Sequence, residues 1–122
     1  MFPVTKAVNK QLLPVYDKPM FYYPLSLMML CGVKEFVFII NKNQEINFKN
    51  ALGNTKDLGI KVDFIIQEKP KGLPEAFIIT EELIKSKSIA MILGDNFFFG
   101  NMLTPIIKNS FKIKRGCNIY LY

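Results

Sequence analysis

The sequence predicts an α/β fold in which helices cover a mostly parallel sheet, and three observations lead there. Short runs rich in Val, Ile, Phe and Tyr alternate along the chain with segments of helical spacing. The runs are continuous rather than polar at every second residue, the pattern of strands buried on both faces. Such alternation argues for right-handed βαβ crossovers. With 122 residues, half of them hydrophobic, the chain suffices for one domain with a core, near the lower end for this class.

Each element has its own warrant. Pro14 and Pro19 punctuate Lys10–Pro19 as a non-helical strap that presents Lys10, Gln11, Asp17 and Lys18. Met20–Cys31 reads as a helix ended by Gly32; Pro24, four or five residues inside, predicts a later start or a kink. Glu35–Ile40, Lys61–Ile66, Ser88–Leu93 and Cys117–Tyr122 read as strands. Gln44–Leu52, Leu73–Lys85 and Met102–Lys112 carry helical spacing, with Pro74 in a first turn where its missing N–H costs nothing. Gly53, Gly59 and Gly72 mark loops, and Met28, Met29 and Leu30 are assigned to the core. The sequence shows no internal repeat, low-complexity tract or linker.

Composition narrows the chemistry. Sixteen Lys and Arg against ten Asp and Glu give a net charge of +6, which attracts polyanions. Arg115 is the only arginine, and scattered lysines are general surface charge more often than a nucleic-acid footprint, so no nucleic-acid partner is expected. The absence of histidine removes imidazole acid–base catalysis, His-activated nucleophiles and histidine metal sites, so any metal must be held by oxygen. Cys31 and Cys117 lack paired spacing and sit in apolar surroundings, which reads as buried reduced thiols and a cytoplasmic setting. No stretch approaches the roughly 18 uninterrupted apolar residues of a membrane span, so no membrane partner is expected.

Three segments carry candidate chemistry. Leu93-Gly94-Asp95-Asn96 follows a strand run, and ligands of open parallel sheets gather beyond the strand carboxyl ends, so Asp95 would project into that crevice. A hard carboxylate there suits Mg²⁺ shared with substrate phosphates, and Gly94 lets a ligand approach the backbone; the alternative is that Asp95 caps the next turn. Gln67, ending its strand run, carries the donor and acceptor needed to read a base edge, although a strand-end glutamine is often simply solvated. Lys69 and Lys71 could meet phosphate or remain in solvent. Lys10 can act as a point charge on phosphate oxygens with Gln11 beside it, or stay solvated before Leu12-Leu13.

Lys10–Pro19 with Met20-Phe21-Tyr22-Tyr23-Pro24-Leu25, then Phe64–Gln67 with Gly72-Leu73, Ala76-Phe77-Ile78-Ile79, and Leu93–Asn96 with Phe99-Gly100 resembles the sugar-1-phosphate nucleotidyltransferases, most closely their glucose-1-phosphate thymidylyltransferases. Pro3-Val4-Thr5 belongs to the same pattern, which keeps its order over essentially the whole chain. The resemblance implies a three-layer, Rossmann-like nucleotidyltransferase fold with a mostly parallel sheet. It implies Mg²⁺-dependent joining of glucose 1-phosphate to dTTP, giving dTDP-glucose and pyrophosphate, and it admits a homo-oligomer in the full-length relative. By it, Lys10 and Asp95 are catalytic, Lys10, Gln11, Gln67, Gly72 and Asp95 bind nucleotide, and Asp95 binds the metal.

The resemblance has departures. Family members carry a Gly-Gly-x-Gly-Thr-Arg triphosphate loop just before the position of Lys10 and continue well beyond that of Tyr122, so the expectation is a partial nucleotidyltransferase domain over 1–122. That domain would lack the first strand and the C-terminal half, with poor stability and little or no activity. Glu75 stands where a glutamine is common and Pro74 where a small residue is common. The alternatives are a uridylyl- or cytidylyltransferase of the same fold, separable by nucleotide competition, and a non-catalytic nucleotide-binding or assembly fragment, separable by binding without turnover.

Overall fold

The computed structural model describes residues 8–69, 71–85 and 87–120. Pro3-Val4-Thr5 and the last two residues of the Cys117–Tyr122 run lie outside them. The described chain opens with one 3-10 turn at Lys10–Leu12, followed by β1 (Pro14–Val15), β2 (Lys18–Pro19), α1 (Tyr22–Leu30), β3 (Glu35–Asn41), α2 (Glu45–Leu52), β4 (Lys61–Gln67), α3 (Leu73–Ile79), α4 (Glu81–Ile84) and α5 (Leu103–Ser110).

The strap expected at Lys10–Pro19 is a folded-back ribbon that starts with that 3-10 turn. Asn9 Oδ1 accepts from the Gln11 N–H at 2.9 Å, which closes the turn in the manner of an N-cap. Pro14 and Pro19 face each other across an antiparallel pair, and the Met20 and Phe21 N–H groups donate to Leu13 O at 3.0 Å and Gln11 O at 3.1 Å. The prolines fit because the ribbon is short and its remaining donors serve these bonds. Tyr16, in the tight turn, has a φ of 61°.

Helix α1 starts at Tyr22, two residues later than the spacing suggested. Pro24 therefore falls in the first turn, where no intrahelical partner waits for its N–H, and the later start expected of it is what occurs. At the other end Val33 N–H bonds Met28 O at 3.0 Å and Gly32 N–H bonds Met29 O at 2.9 Å, with Gly32 at a φ of 95°. That pair of bonds is a Schellman stop, and it needs the glycine.

β3 and β4 pair in parallel from Glu35 opposite Lys61 to Asn41 opposite Gln67, with α2 between them in sequence. This is the βαβ unit expected of an α/β fold. Phe36, Phe38 and Ile40, with Val62 and Phe64, pack against Phe21 and Leu25 of the α1 region and Phe48 and Leu52 of α2. The rings of Phe21, Phe38 and Phe48 meet at centroid distances of 5.3 to 6.1 Å, and Phe48 is fully buried. A second cluster continues from the first, in which Met28 and Cys31 at the end of α1 pack with Ile107 of α5, beside Phe36, Ile92 and Leu103.

Several expectations are corrected. Ser88–Leu93 is not a strand among the described residues: no neighbour pairs with its backbone, and Ile89, Met91 and Leu93 remain exposed. A strand exists only through its ladder, so an apolar run without a partner does not become one. The described part of Cys117–Tyr122 is likewise unpaired and exposed, which leaves Cys117 exposed rather than buried, while Cys31 is buried as expected. Leu73–Lys85 divides at Thr80, whose hydroxyl donates back to Ala76 O at 2.6 Å in competition with the helix ladder. Leu30 is exposed, whereas Met28 is core.

Candidate nucleotide site

Two groups of side chains gather around the expected residues. In the first, the Lys10 ammonium meets Asp95 Oδ2 at 2.8 Å, joining positions 85 residues apart. The two side chains are 49% and 32% exposed, so both charges are open to a ligand. Gln11 lies flat on Gly94: a Cβ built there would come within 2.8 Å of Gln11 Cδ and 3.0 Å of its amide N and O. The closeness that Gly94 permits is therefore used by the protein's own Gln11 side chain.

The backbone fixes this group from both sides. Lys10 and Gln11 sit on the 3-10 turn held by Asn9 and Phe21. Gly94 and Asp95 occupy a turn closed by Asn96 N–H to Leu93 O at 3.2 Å. Next to them Phe97 packs on the Tyr23 ring at 4.7 Å, and the Tyr23 hydroxyl donates to Val15 O of the ribbon. The Asp95 carboxylate is turned to Lys10, and among the described residues it makes no capping bond, which answers the alternative reading of it.

The second group stands at the carboxyl end of β4. Gln67 Nε2 donates to Glu75 Oε2, and the Lys71 N–H donates to the same oxygen at 3.1 Å. Lys71 Nζ lies 3.7 Å from Glu75 Oε1. Gly72, at a φ of 95°, turns the chain between Lys71 and the start of α3, a conformation only glycine adopts cheaply. Among the described residues no hydrogen bond or ion pair links this group to the Lys10–Asp95 group. Glu75, Tyr23 and Phe97 were not singled out from sequence as site residues. Glu75 was visible only as a departure from the usual glutamine.

The Gln67 amide, helped by Lys71, holds the Glu75 carboxyl below its ordinary value of 4.5, and Lys87 at 2.7 Å does the same for Glu35. A depressed carboxylate contributes stability above 4.5 and loses it as the pH falls through the lower folded value. The stability difference between the wild type and Glu75→Gln, read from urea midpoints, is therefore expected to stay level above 4.5 and to change below it. A difference independent of pH down to acid unfolding would contradict this.

Among the described residues no three His, Cys, Asp or Glu side chains are grouped to hold a metal. Asp95 offers a single carboxylate. That suits a hard cation that takes its other oxygens from phosphate and water, and it does not suit an all-protein cage.

Comparison with known proteins finds relatives of the whole chain. The nucleotidyl transferase family model matches residues 1–121. A glucose-1-phosphate thymidylyltransferase of Neisseria meningitidis is 42% identical over the whole chain, and one from Mycobacterium tuberculosis is 38% identical. The chain spans 42% of the length of each. Among solved structures, a Bacillus anthracis protein described as a glucose-1-phosphate thymidylyltransferase, in complex with a sucrose, superposes with a TM-score of 0.80 at 28% identity over 89% of this chain and 44% of its own. An apo UDP-glucose pyrophosphorylase shares the fold, with a TM-score of 0.69 at 21% identity over 89% of this chain and 47% of its own.

Proposed function

This chain belongs to the nucleotidyl transferase family, and from that premise we propose that its described residues form a nucleotide half-site for transferring a thymidylyl group from dTTP to glucose 1-phosphate. The observation that carries the reading is the exposed Lys10–Asp95 pair, a phosphate-seeking cation beside a metal-seeking carboxylate, on two turns packed together through Gln11 and Gly94. In the reaction a phosphate oxygen of glucose 1-phosphate bonds to the α-phosphorus of dTTP. The bond from that phosphorus to the β-phosphate's bridging oxygen breaks, and pyrophosphate leaves with the electron pair.

The protein's part is positioning and charge neutralisation, with no side-chain nucleophile. Lys10 leaves Asp95 for a phosphate oxygen, and Gln11 holds an adjacent polar contact. Asp95 would hold Mg²⁺, whose role when bound is to neutralise charge on the phosphates. Gln67 and Gly72 face the base in this reading. One lysine and one carboxylate suit binding better than fast turnover, so turnover is expected to be a small fraction of that of a full-length relative. A cytoplasmic setting and homo-oligomerisation of longer relatives belong to the same proposal.

The test is saturable binding of dTTP in Mg²⁺, with pyrophosphate release measured on adding glucose 1-phosphate and with UTP and CTP as competitors. Displacement of dTTP by UTP or CTP at lower concentration than by dTTP itself would move the assignment to a uridylyl- or cytidylyltransferase. Absence of saturable binding of any of the three would overturn it.

Gly94→Ala separates site from stability. The three atoms nearest the added Cβ all belong to the end of the flexible Gln11 side chain, so the cost to folding is expected to stay within about 1 kcal/mol. The displaced amide is expected to weaken dTTP binding by about tenfold. Equal affinity for wild type and variant would place Gln11 outside the site.

A further inference from the structure

We propose that Glu75 is a positioning residue that locks the polarity of the Gln67 amide and thereby makes the site select bases with an imide N–H, thymine and uracil, over cytosine. The inference rests on the thymidylyl reading above and deepens it. Its starting point is chemical: an ionised carboxylate only accepts hydrogen bonds, whereas a primary amide has one accepting and one donating end. With Glu75 Oε2 accepting from Nε2, the NH₂ end of Gln67 must face the carboxylate. Oε1 is left as the outward acceptor, and no donor among the described residues reaches it.

The lock is held by more than one bond. Glu75 Oε2 also accepts the Lys71 backbone N–H at 3.1 Å, and Lys71 Nζ stands 3.7 Å from the other oxygen. The Glu75 side chain is only 19% exposed, and from the first turn of α3 it meets partners in two places, the end of β4 and the loop after it. Rotating the Gln67 amide by half a turn would set its carbonyl against the carboxylate, with two acceptors facing and no proton between them. That state is excluded while Glu75 is charged.

Thymine and uracil present a donor at N3 and an acceptor at O4, and cytosine reverses both, with an acceptor at N3 and a donor at N4. For a base held in one pose, an amide that cannot flip satisfies one class and opposes the other at both positions. An amide free to flip would serve both. The identity of residue 75 thus sets how strictly residue 67 reads the base, although residue 75 need not touch the nucleotide.

The experiment measures dTTP and dCTP affinities in Mg²⁺ for the wild type, Glu75→Gln and Glu75→Ala. Glu75→Gln keeps the size and a carbonyl that the Lys71 N–H can hold toward Gln67, and Glu75→Ala removes the partner. In Glu75→Ala the preference for dTTP over dCTP is expected to fall about tenfold, chiefly because dCTP binds better, and Glu75→Gln is expected to keep most of it. Partial unfolding would scale both affinities together and leave their ratio unchanged, so a merely structural role predicts no change in preference. A wild type that prefers dTTP, with Glu75→Ala keeping that preference in full, overturns the role of Glu75 alone. A wild type that binds neither nucleotide overturns the nucleotide-site reading and this inference with it.

Discussion

Lys10→Ala is expected to weaken dTTP binding by about 10- to 100-fold while leaving folding stability nearly unchanged. The two magnitudes follow from one geometry. A hydrogen bond from an ammonium to a charged oxygen is worth about 1.5–3 kcal/mol when a ligand phosphate replaces the solvent. The bridge to Asp95, with side chains 49% and 32% exposed, contributes at most about 1 kcal/mol to folding. Calorimetric titration gives the first quantity and urea denaturation the second. A variant that unfolds readily but binds with undiminished affinity when folded would reverse the assignment and make the pair structural.

Phe48→Ala is expected to destabilise the chain by about 3–5 kcal/mol, the range for truncating a buried aromatic side chain. Phe48 is the one fully buried large side chain among the described residues, and its ring meets those of Phe21 and Phe38. It therefore joins α2 to the N-terminal edge of α1 and to β3. Removing it opens a cavity shared by three elements. Small domains are stable by only about 5–15 kcal/mol, so such a loss can abolish a cooperative urea transition at room temperature. Ile46→Ala, on the exposed side of the same helix, is the control and should cost less than about 0.5 kcal/mol. Similar losses for the two variants would mean that α2 does not bury Phe48 in a packed core.

How far the sequence foretold this molecule depended on whether a feature is local. The stop at Gly32 and the late start forced by Pro24 are decided within a few residues, and both were legible. β3 and β4 were legible because their apolar runs have each other as partners, joined through α2. Ser88–Leu93 carries the same composition and lacks a partner among the described residues, so composition alone misassigned it. The break at Thr80 came from one hydroxyl competing for one carbonyl, a choice that helical spacing does not encode.

The candidate site divides in the same way. Lys10, Gln11, Gln67, Gly72 and Asp95 could each be nominated by residue type and by resemblance, yet nothing in the order of residues states that Lys10 would meet Asp95 or that Gln11 would lie on Gly94. Such contacts are made by the folding of two turns onto each other, tied by Tyr23 and Phe97. Glu75 shows the converse. It was noticed as an unusual residue, and only its bonds to Gln67 and Lys71 give that departure a chemical meaning.

The central claim is that Lys10 and Asp95 together receive a metal-bound nucleoside triphosphate, and the Mg²⁺ dependence of dTTP affinity tests it most directly. For the wild type, affinity is expected to rise about tenfold or more when Mg²⁺ is added, since the cation gives Asp95 a role other than pairing with Lys10. In Asp95→Asn that increase should be lost. Wild-type affinity that is the same with and without Mg²⁺, or an undiminished increase in Asp95→Asn, would contradict the account.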